Sequence, residues 1–162
     1  MSITIRRAVR AEYDEVGELT ARAYESDGLV PDGSGYGAVL RDAASRAEKA
    51  ELWVAAGPDG LLGTVTYCPA GSPYREIGLD HEGEFRMLAV SPAARGLGVG
   101  TALTEHCLDR SRGLGFSHVV LSSSIAMATA HRLYQRLGFT RLPDRDWSPV
   151  AGVELICFGR AL

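Results

Sequence analysis

The sequence predicts an α/β domain, and three observations carry that reading. Short runs with apolar residues at every second position are interleaved with longer runs of helical period. Glycine or proline marks several of the connections, among them Ser26 to Gly37, Pro58-Asp59-Gly60 and Pro69 to Gly83. The resulting order is β-α-α-β-β-β-α-β-α-β-β over residues 1–162, without an internal repeat or a linker, so a single domain is expected. A chain of 162 residues can bury one substantial core, and 46% hydrophobic with 23% charged residues is ordinary globular usage.

In chain order, Ile3 to Ala8 alternates as a half-buried strand does. Ala11 to Tyr24 turns helical, with Val16, Leu19 and Ala23 on one stripe and acidic residues in the first turn, where they suit the helix dipole. Ser26 to Gly37 holds four glycines and a proline and reads as a loop. A second helix is expected from about Tyr36 to Ala50, burying Tyr36, Leu40, Ala43 and Ala47. Leu52–Ala56 and Leu61–Tyr67 form a hairpin through Pro58-Asp59-Gly60. Pro69 to Gly83 is a second loop, and Glu84 to Val90 is the next strand.

A helix follows from about Gly98 to Arg112, burying Val99, Ala102, Leu103, Cys107 and Leu114, with His106 at its edge. His118–Leu121 is a short buried strand. Ile125–Leu137 is a helix stopped by Gly138, with Phe139 after it as the apolar contact of a C-cap. Phe139–Arg141 begins a strand, Pro143–Pro149 is a loop, and Val153–Phe158 is the last strand.

Composition excludes several classes. A formal charge of −3 offers no general attraction to nucleic acid or anionic membrane. No apolar run has the length of a membrane span, and the N-terminus lacks the apolar core of a signal peptide. Cys68, Cys107 and Cys157 are widely spaced and odd in number, which suits buried free thiols in a reducing cytoplasm. Neither they nor the four histidines show metal-ligand spacing, so no metal is expected.

The chemistry concentrates in Glu84 to Gly100, Glu-Phe-Arg-Met-Leu-Ala-Val-Ser-Pro-Ala-Ala-Arg-Gly-Leu-Gly-Val-Gly. A strand breaks at Pro92 and gives way to a glycine-spaced turn that opens a helix. Amides at a helix N-terminus are unpaired, the macrodipole adds positive potential, and glycines let an anion approach. The spacing is neither Gly-x-Gly-x-x-Gly nor a P-loop; a tight turn without a ligand would read the same way. Arg95, Gly98 and Gly100 do match Arg-x-x-Gly-x-Gly. Directly after an apolar strand, that pattern resembles the acetyl-CoA pyrophosphate loop of the GNAT superfamily of N-acetyltransferases.

A second patch, Met127 to Phe139, resembles the same family's Asn-x-x-Ala-x-x-Leu-Tyr-x-x-x-Gly-Phe motif at Ala130, Leu133, Tyr134, Gly138 and Phe139, with Met127 replacing the Asn. The stretches Arg145-Asp146-Trp147 and Gly152-Val153-Glu154 look like those of a bacterial, actinobacterial-type subgroup. The resemblance spans nearly the whole chain. It implies a mixed, mostly antiparallel sheet of about seven strands flanked by four helices, acetyl-CoA as co-substrate, and an amine acceptor of unspecified identity. Members of the family often form homodimers.

Acetyl transfer to an amine requires loss of the ammonium proton, a donor for the oxyanion, and protonation of the leaving thiolate. An alkylammonium titrates near about 10.4 and a thiol near about 8.5, so the amine is the steeper problem. The resemblance to histone-type members puts the base at Glu84, with Glu82 and His81 in reserve. A carboxylate paired with Arg86 on the same strand face is the structural alternative. Tyr134 is the candidate acid, since Met127, Ala130 and Tyr134 share a helix face and Ala130 leaves room beside the phenol; a core tyrosine is its alternative.

The resemblance places the thioester against backbone amides of Leu88, Ala89 and Val90 on a bulged strand. The pyrophosphate falls to Arg95 with the amides of Gly96, Leu97, Gly98, Val99, Gly100 and Thr101. Ser122, Ser123 and Ser124 either bond the pantetheine or cap the next helix. No cysteine lies in either motif, which favours direct attack over an acyl-enzyme. The acceptor is expected among the three loops, which mix Tyr36, Tyr74 and Trp147 with Asp27, Asp32, Asp80, Asp144 and Asp146, a combination suited to a cation. A non-catalytic acyl-CoA-binding or regulatory module is the rival reading.

Overall fold

The computed structural model describes residues 2–162 and arranges them as one eight-stranded sheet with five helices. In chain order these are β1 (Thr4–Arg7), α1 (Tyr13–Ser26), α2 (Tyr36–Arg41), α3 (Ala43–Lys49), β2 (Glu51–Gly57), β3 (Gly60–Cys68), β4 (Glu82–Val90), α4 (Val99–Gly113), β5 (His118–Ser124), α5 (Ala128–Arg136), β6 (Thr140–Arg141), β7 (Trp147–Val150) and β8 (Val153–Ala161). The spatial order is β1-β2-β3-β4-β5-β8-β6, with β7 also on β8, and β4–β5 is the one parallel pair.

Strand alternation divides the core between the two faces. Leu52 and Val54 of β2 pack with Val16 of α1 and Ala43 of α3, whereas Ala55 joins Val65, Leu103 and Cys107 beneath α4. Covered on both sides, β4 is buried along nearly its whole length, as a central strand should be.

Four local expectations are corrected. The helix expected from Tyr36 to Ala50 is two helices, because Asp42 leaves helical geometry and its carboxylate accepts the Ser45 amide at 3.1 Å, so a cap restarts the helix. The segment after Pro143 contains β7, paired in antiparallel fashion with β8, where a loop was expected. Ser122–Ser124 extend β5, and α5 begins only at Ala128 with no side-chain cap, so the serines do not cap it. Leu114, expected in the core, is 43% exposed.

Two irregularities in β4 position the site. Thr64 pairs with Ala89 and Thr66 with Arg86, so Met87 and Leu88 together face the single residue Val65. This is a β-bulge, and Met87 takes the burden of it at φ +52°, a left-handed conformation rare for a residue with a Cβ. On the other side, the β4–β5 ladder runs from Glu82↔His118 to Phe85↔Leu121 and then stops. Beyond Phe85 the two strands separate, and a cleft opens in the middle of the sheet.

Candidate active site

The cleft consists of two adjoining openings of about 350 and 240 Å³, open solvent included. Both are bordered by Tyr24, Arg86, Met87 and Ser122. Leu29, Tyr36, Ser124, Val153 and Leu155 complete the first; Phe85, Leu88, Ser123, Met127 and Tyr134 complete the second. Leu88 to Val90 have no ladder partner on the β5 side, so this backbone edge is free to bond a ligand.

Behind the bulge, the chain turns at Arg95 into α4. Gly96 (φ +81°) and Gly98 (φ +82°) adopt the left-handed region, which explains glycine at both. The first amide of this stretch to enter the helical pattern is that of Ala102, bonded to Gly98 O at 3.0 Å. Among the described residues, the amides of Gly96, Leu97, Gly98, Val99, Gly100 and Thr101 have no acceptor. They form a continuous run of donors at the N-terminus of a 15-residue helix, an arrangement matched to a diphosphate. A Cβ on Gly100 would lie 3.1 Å from Leu133 Cδ2, so the helix entry and α5 are already in close contact. The donor run and the divided sheet both fit coenzyme A. Arg95 itself holds Asp27, the residue just past the end of α1, through two hydrogen bonds of 3.0 Å.

Tyr134 is buried at 4% exposure, with edge-on contacts to Phe85 (6.1 Å) and Phe139 (5.8 Å). Its hydroxyl has no protein partner among the described residues and borders the second opening. Burial pushes the phenol well above its ordinary range, so it holds its proton firmly. Met127, the residue just before α5, borders the same opening, its sulfur 3.9 Å from Ser123 Oγ, and Ala130 packs behind against the core.

Glu84 lies elsewhere. Its side chain is fully enclosed, and its oxygens accept the amides of Glu76 (3.1 and 3.2 Å), Ile77 (3.1 Å) and Gly78 (2.9 Å). Burial raises its pKa by more than those bonds lower it. The carboxylate thus clamps the loop before β4 and does not border the cleft. The pairing with Arg86 is not made either: Arg86 donates to Tyr74 O at 3.2 Å. Of the reserve bases, Glu82 is held by Arg145 at 2.7 and 3.1 Å, and His81 lies beside it on the surface.

The expected ring of acidic residues does not line the cleft. Asp27 is on Arg95 and Asp146 is on Arg141 at 2.9 Å, while Trp147 donates to Ser122 Oγ at 2.8 Å from behind the wall. Among the described residues, Arg86 is the only charged side chain bordering either opening. Sequence reasoning missed Tyr24, Leu29 and Met87 at this site and treated Arg86 only as a partner for Glu84. The signal for Tyr24 was available, since it falls on the buried face of α1 at the end nearest the glycine loop.

The comparisons with known proteins agree with this geometry. The family model for the acetyltransferase (GNAT) domain matches residues 48–141, and the chain belongs to that family. A mycothiol acetyltransferase of Geodermatophilus obscurus is 34% identical over 144 residues, covering 87% of this chain and 46% of that protein. Human N-acetyltransferase 8B is 35% identical over 93 residues, covering 56% of this chain and 38% of that one. The chain therefore spans about half or less of the length of these curated relatives. Among solved structures, a GNAT acetyltransferase from Staphylococcus aureus superposes with a TM-score of 0.78 at 14% identity over 99% of both chains. The PaiA N-acetyltransferase from Thermoplasma acidophilum, solved with coenzyme A, gives 0.74 at 13% identity over 100% of both.

Proposed function

We propose that this chain is an acetyl-CoA-dependent N-acetyltransferase acting by direct attack of an amine on the thioester. The observation that carries the reading is the run of six uncommitted amides from Gly96 to Thr101, continuous with a sheet that parts beyond Phe85. Acetyl-CoA supplies an activated acyl group. In this reading Arg95 and the six amides hold the pyrophosphate, and the free backbone edge at Leu88, Ala89 and Val90 holds the pantetheine and the carbonyl.

The amine nitrogen forms a bond to the acyl carbon, the C–S bond breaks, and the nitrogen's proton ends on the thiol. Tyr134 donates a hydrogen bond to the departing sulfur. Its raised pKa makes complete proton transfer uphill, so its contribution is stabilisation of the thiolate. Glu84 is assigned a positioning role, since its carboxylate is enclosed and occupied by amides. The acceptor must then lose its proton to solvent, and a neighbouring guanidinium, Arg86, disfavours the ammonium form.

Isothermal titration with acetyl-CoA and CoA at two salt concentrations tests the cradle, and thiol release with an amine panel tests turnover. CoA binding without thiol release would favour the non-catalytic reading, which the lack of a carboxylate at the cleft keeps relevant. No CoA binding would end both.

The three cysteines are free and buried, which supports a cytoplasmic assignment. No helix among the described residues is long and apolar enough to cross a membrane. One chain supplies every residue named, so a homodimer would carry complete sites in each copy; analytical ultracentrifugation tests for it.

A further inference from the structure

The first opening is where an acceptor would approach a thioester held at the bulge, and its walls are unusual for a site that takes a cationic amine. Tyr24, Leu29, Tyr36, Met87, Val153 and Leu155 are apolar or phenolic, Ser122 and Ser124 add hydroxyls, and the one charged border residue is Arg86. That guanidinium is 8% exposed, so it is nine-tenths buried. One of its nitrogens donates to Tyr74 O at 3.2 Å and forms a long ion pair with Glu76 Oε1 at 3.7 Å. Its remaining donors have no partner among the described residues. Trp147 packs over the group at 5.3 Å and is itself fixed by Ser122, so the plane of the fork is held.

Guanidinium donors that face a cleft without a hydrogen-bond partner are open for water or a ligand to complete. Water can do so in the free protein. In the complex, a planar anion meets the donors best, because the arginine fork matches a carboxylate in two-point fashion. We propose that the acceptor is a small amine carrying a carboxylate close to its nitrogen, with the carboxylate bound by Arg86 and an apolar side chain against Leu29, Tyr36, Val153 and Leu155. The inference rests on the acyl-transfer reading above and names its substrate class. It also removes the need for a nearby base. A carboxylate next to an ammonium holds the proton on, and neutralising it by Arg86 releases the amine at lower pH.

The test uses the full chain with acetyl-CoA and monitors thiol release. The probes are L-leucine, L-phenylalanine and L-methionine, each beside its amide and its decarboxylated amine, with aminomethylphosphonate added to separate carboxylate from phosphonate recognition. The free acids should exceed their amides in kcat/KM by at least about 30-fold, the scale of one lost charge-paired contact. Arg86→Met should collapse that ratio towards one, and Arg86→Lys should restore part of it. A purely structural role would lower acids and amides together and leave the ratio unchanged.

Amides or plain amines used as well as the acids would overturn the proposal, as would an acid preference that survives Arg86→Met. So would thiol release with plain amines and with none of the carboxylate probes. Phosphonate preferred over every carboxylate would also overturn it. Failure of the underlying reading looks different: acetyl-CoA does not bind, and no amine of any charge releases thiol.

Discussion

Arg95 and Asp27 face each other in a two-point ion pair, with both nitrogen–oxygen distances at 3.0 Å. The guanidinium expected to hold a pyrophosphate is thus held by a carboxylate at the end of α1, and a diphosphate must compete for it. The pair is exposed on both sides, at 46% and 37%, so it is easily exchanged. Asp27→Asn should tighten CoA binding by about two- to five-fold, and Arg95→Ala should weaken it by about ten-fold with a shallower salt dependence. Titration calorimetry at two ionic strengths reads both. An Asp27→Asn variant that binds CoA more weakly would show that the carboxylate supports the cradle and does not compete with it.

Tyr134→Phe removes a hydroxyl that no protein group bonds. Thermal stability should change by about 1 kcal/mol or less, and CoA affinity should hold. Turnover should fall by about 100-fold if the phenol steadies the leaving sulfur. Stopped thiol release measures this, and unchanged kcat would assign Tyr134 to packing against Phe85 and Phe139.

Glu84→Gln replaces an all-acceptor group with one that presents an N–H₂ to a shell of donors. Amide donors of Glu76, Ile77 or Gly78 left facing the new N–H₂ without an acceptor should cost about 2 kcal/mol. The pH dependence of kcat/KM should keep its midpoint, because the carboxylate does not touch the acceptor. Urea denaturation gives the first number and a pH–rate profile the second; a profile that loses its limb would restore Glu84 as the base.

Glu82 and Glu84 should respond to acid in opposite ways. Burial opposes the ionisation of Glu82, but the Arg145 hydrogen bonds and the Leu79 amide outweigh it and hold its pKa below the ordinary carboxylate range. Its stabilisation is present above the unfolded-state pKa and is lost as pH falls through the folded-state value. Glu84, whose pKa burial raises, contributes most below its unfolded value, and that contribution is lost as pH rises through the folded one. Tm measured from pH 7 downwards should therefore fall less in Glu82→Gln than in the parent chain. Parallel curves for the two proteins would remove Glu82–Arg145 from the account of acid sensitivity.

Much of this molecule is readable without coordinates because its devices are local. The glycines at 96 and 98 announce a left-handed turn into a helix, whereas the helical face expected for Met127, Ala130 and Tyr134 holds only for the last two, because α5 begins at Ala128 and Met127 precedes it in non-helical geometry. The split at Asp42 was equally local, but a good helical period over Tyr36 to Ala50 concealed a cap inside it. Glu84 and Arg86 show the limit. On a strand they share a face, and charge alone pairs them. In the folded chain the loop at Glu76 to Gly78 returns over one, and the other borders the cleft where β4 parts from β5, so each finds a different partner. The cleft itself adjoins a bulge at Met87, a residue with a Cβ held at positive φ, which no propensity would assign. Sequence by itself determined the fold class, most of the element order and the glycine turn into α4, since these follow from short-range periodicity and backbone freedom, while Tyr134 came forward by resemblance to a family motif. Tertiary structure alone decided which charges line the cleft, because ionic partners are chosen by proximity across segments far apart in the chain and by the desolvation that burial imposes on them.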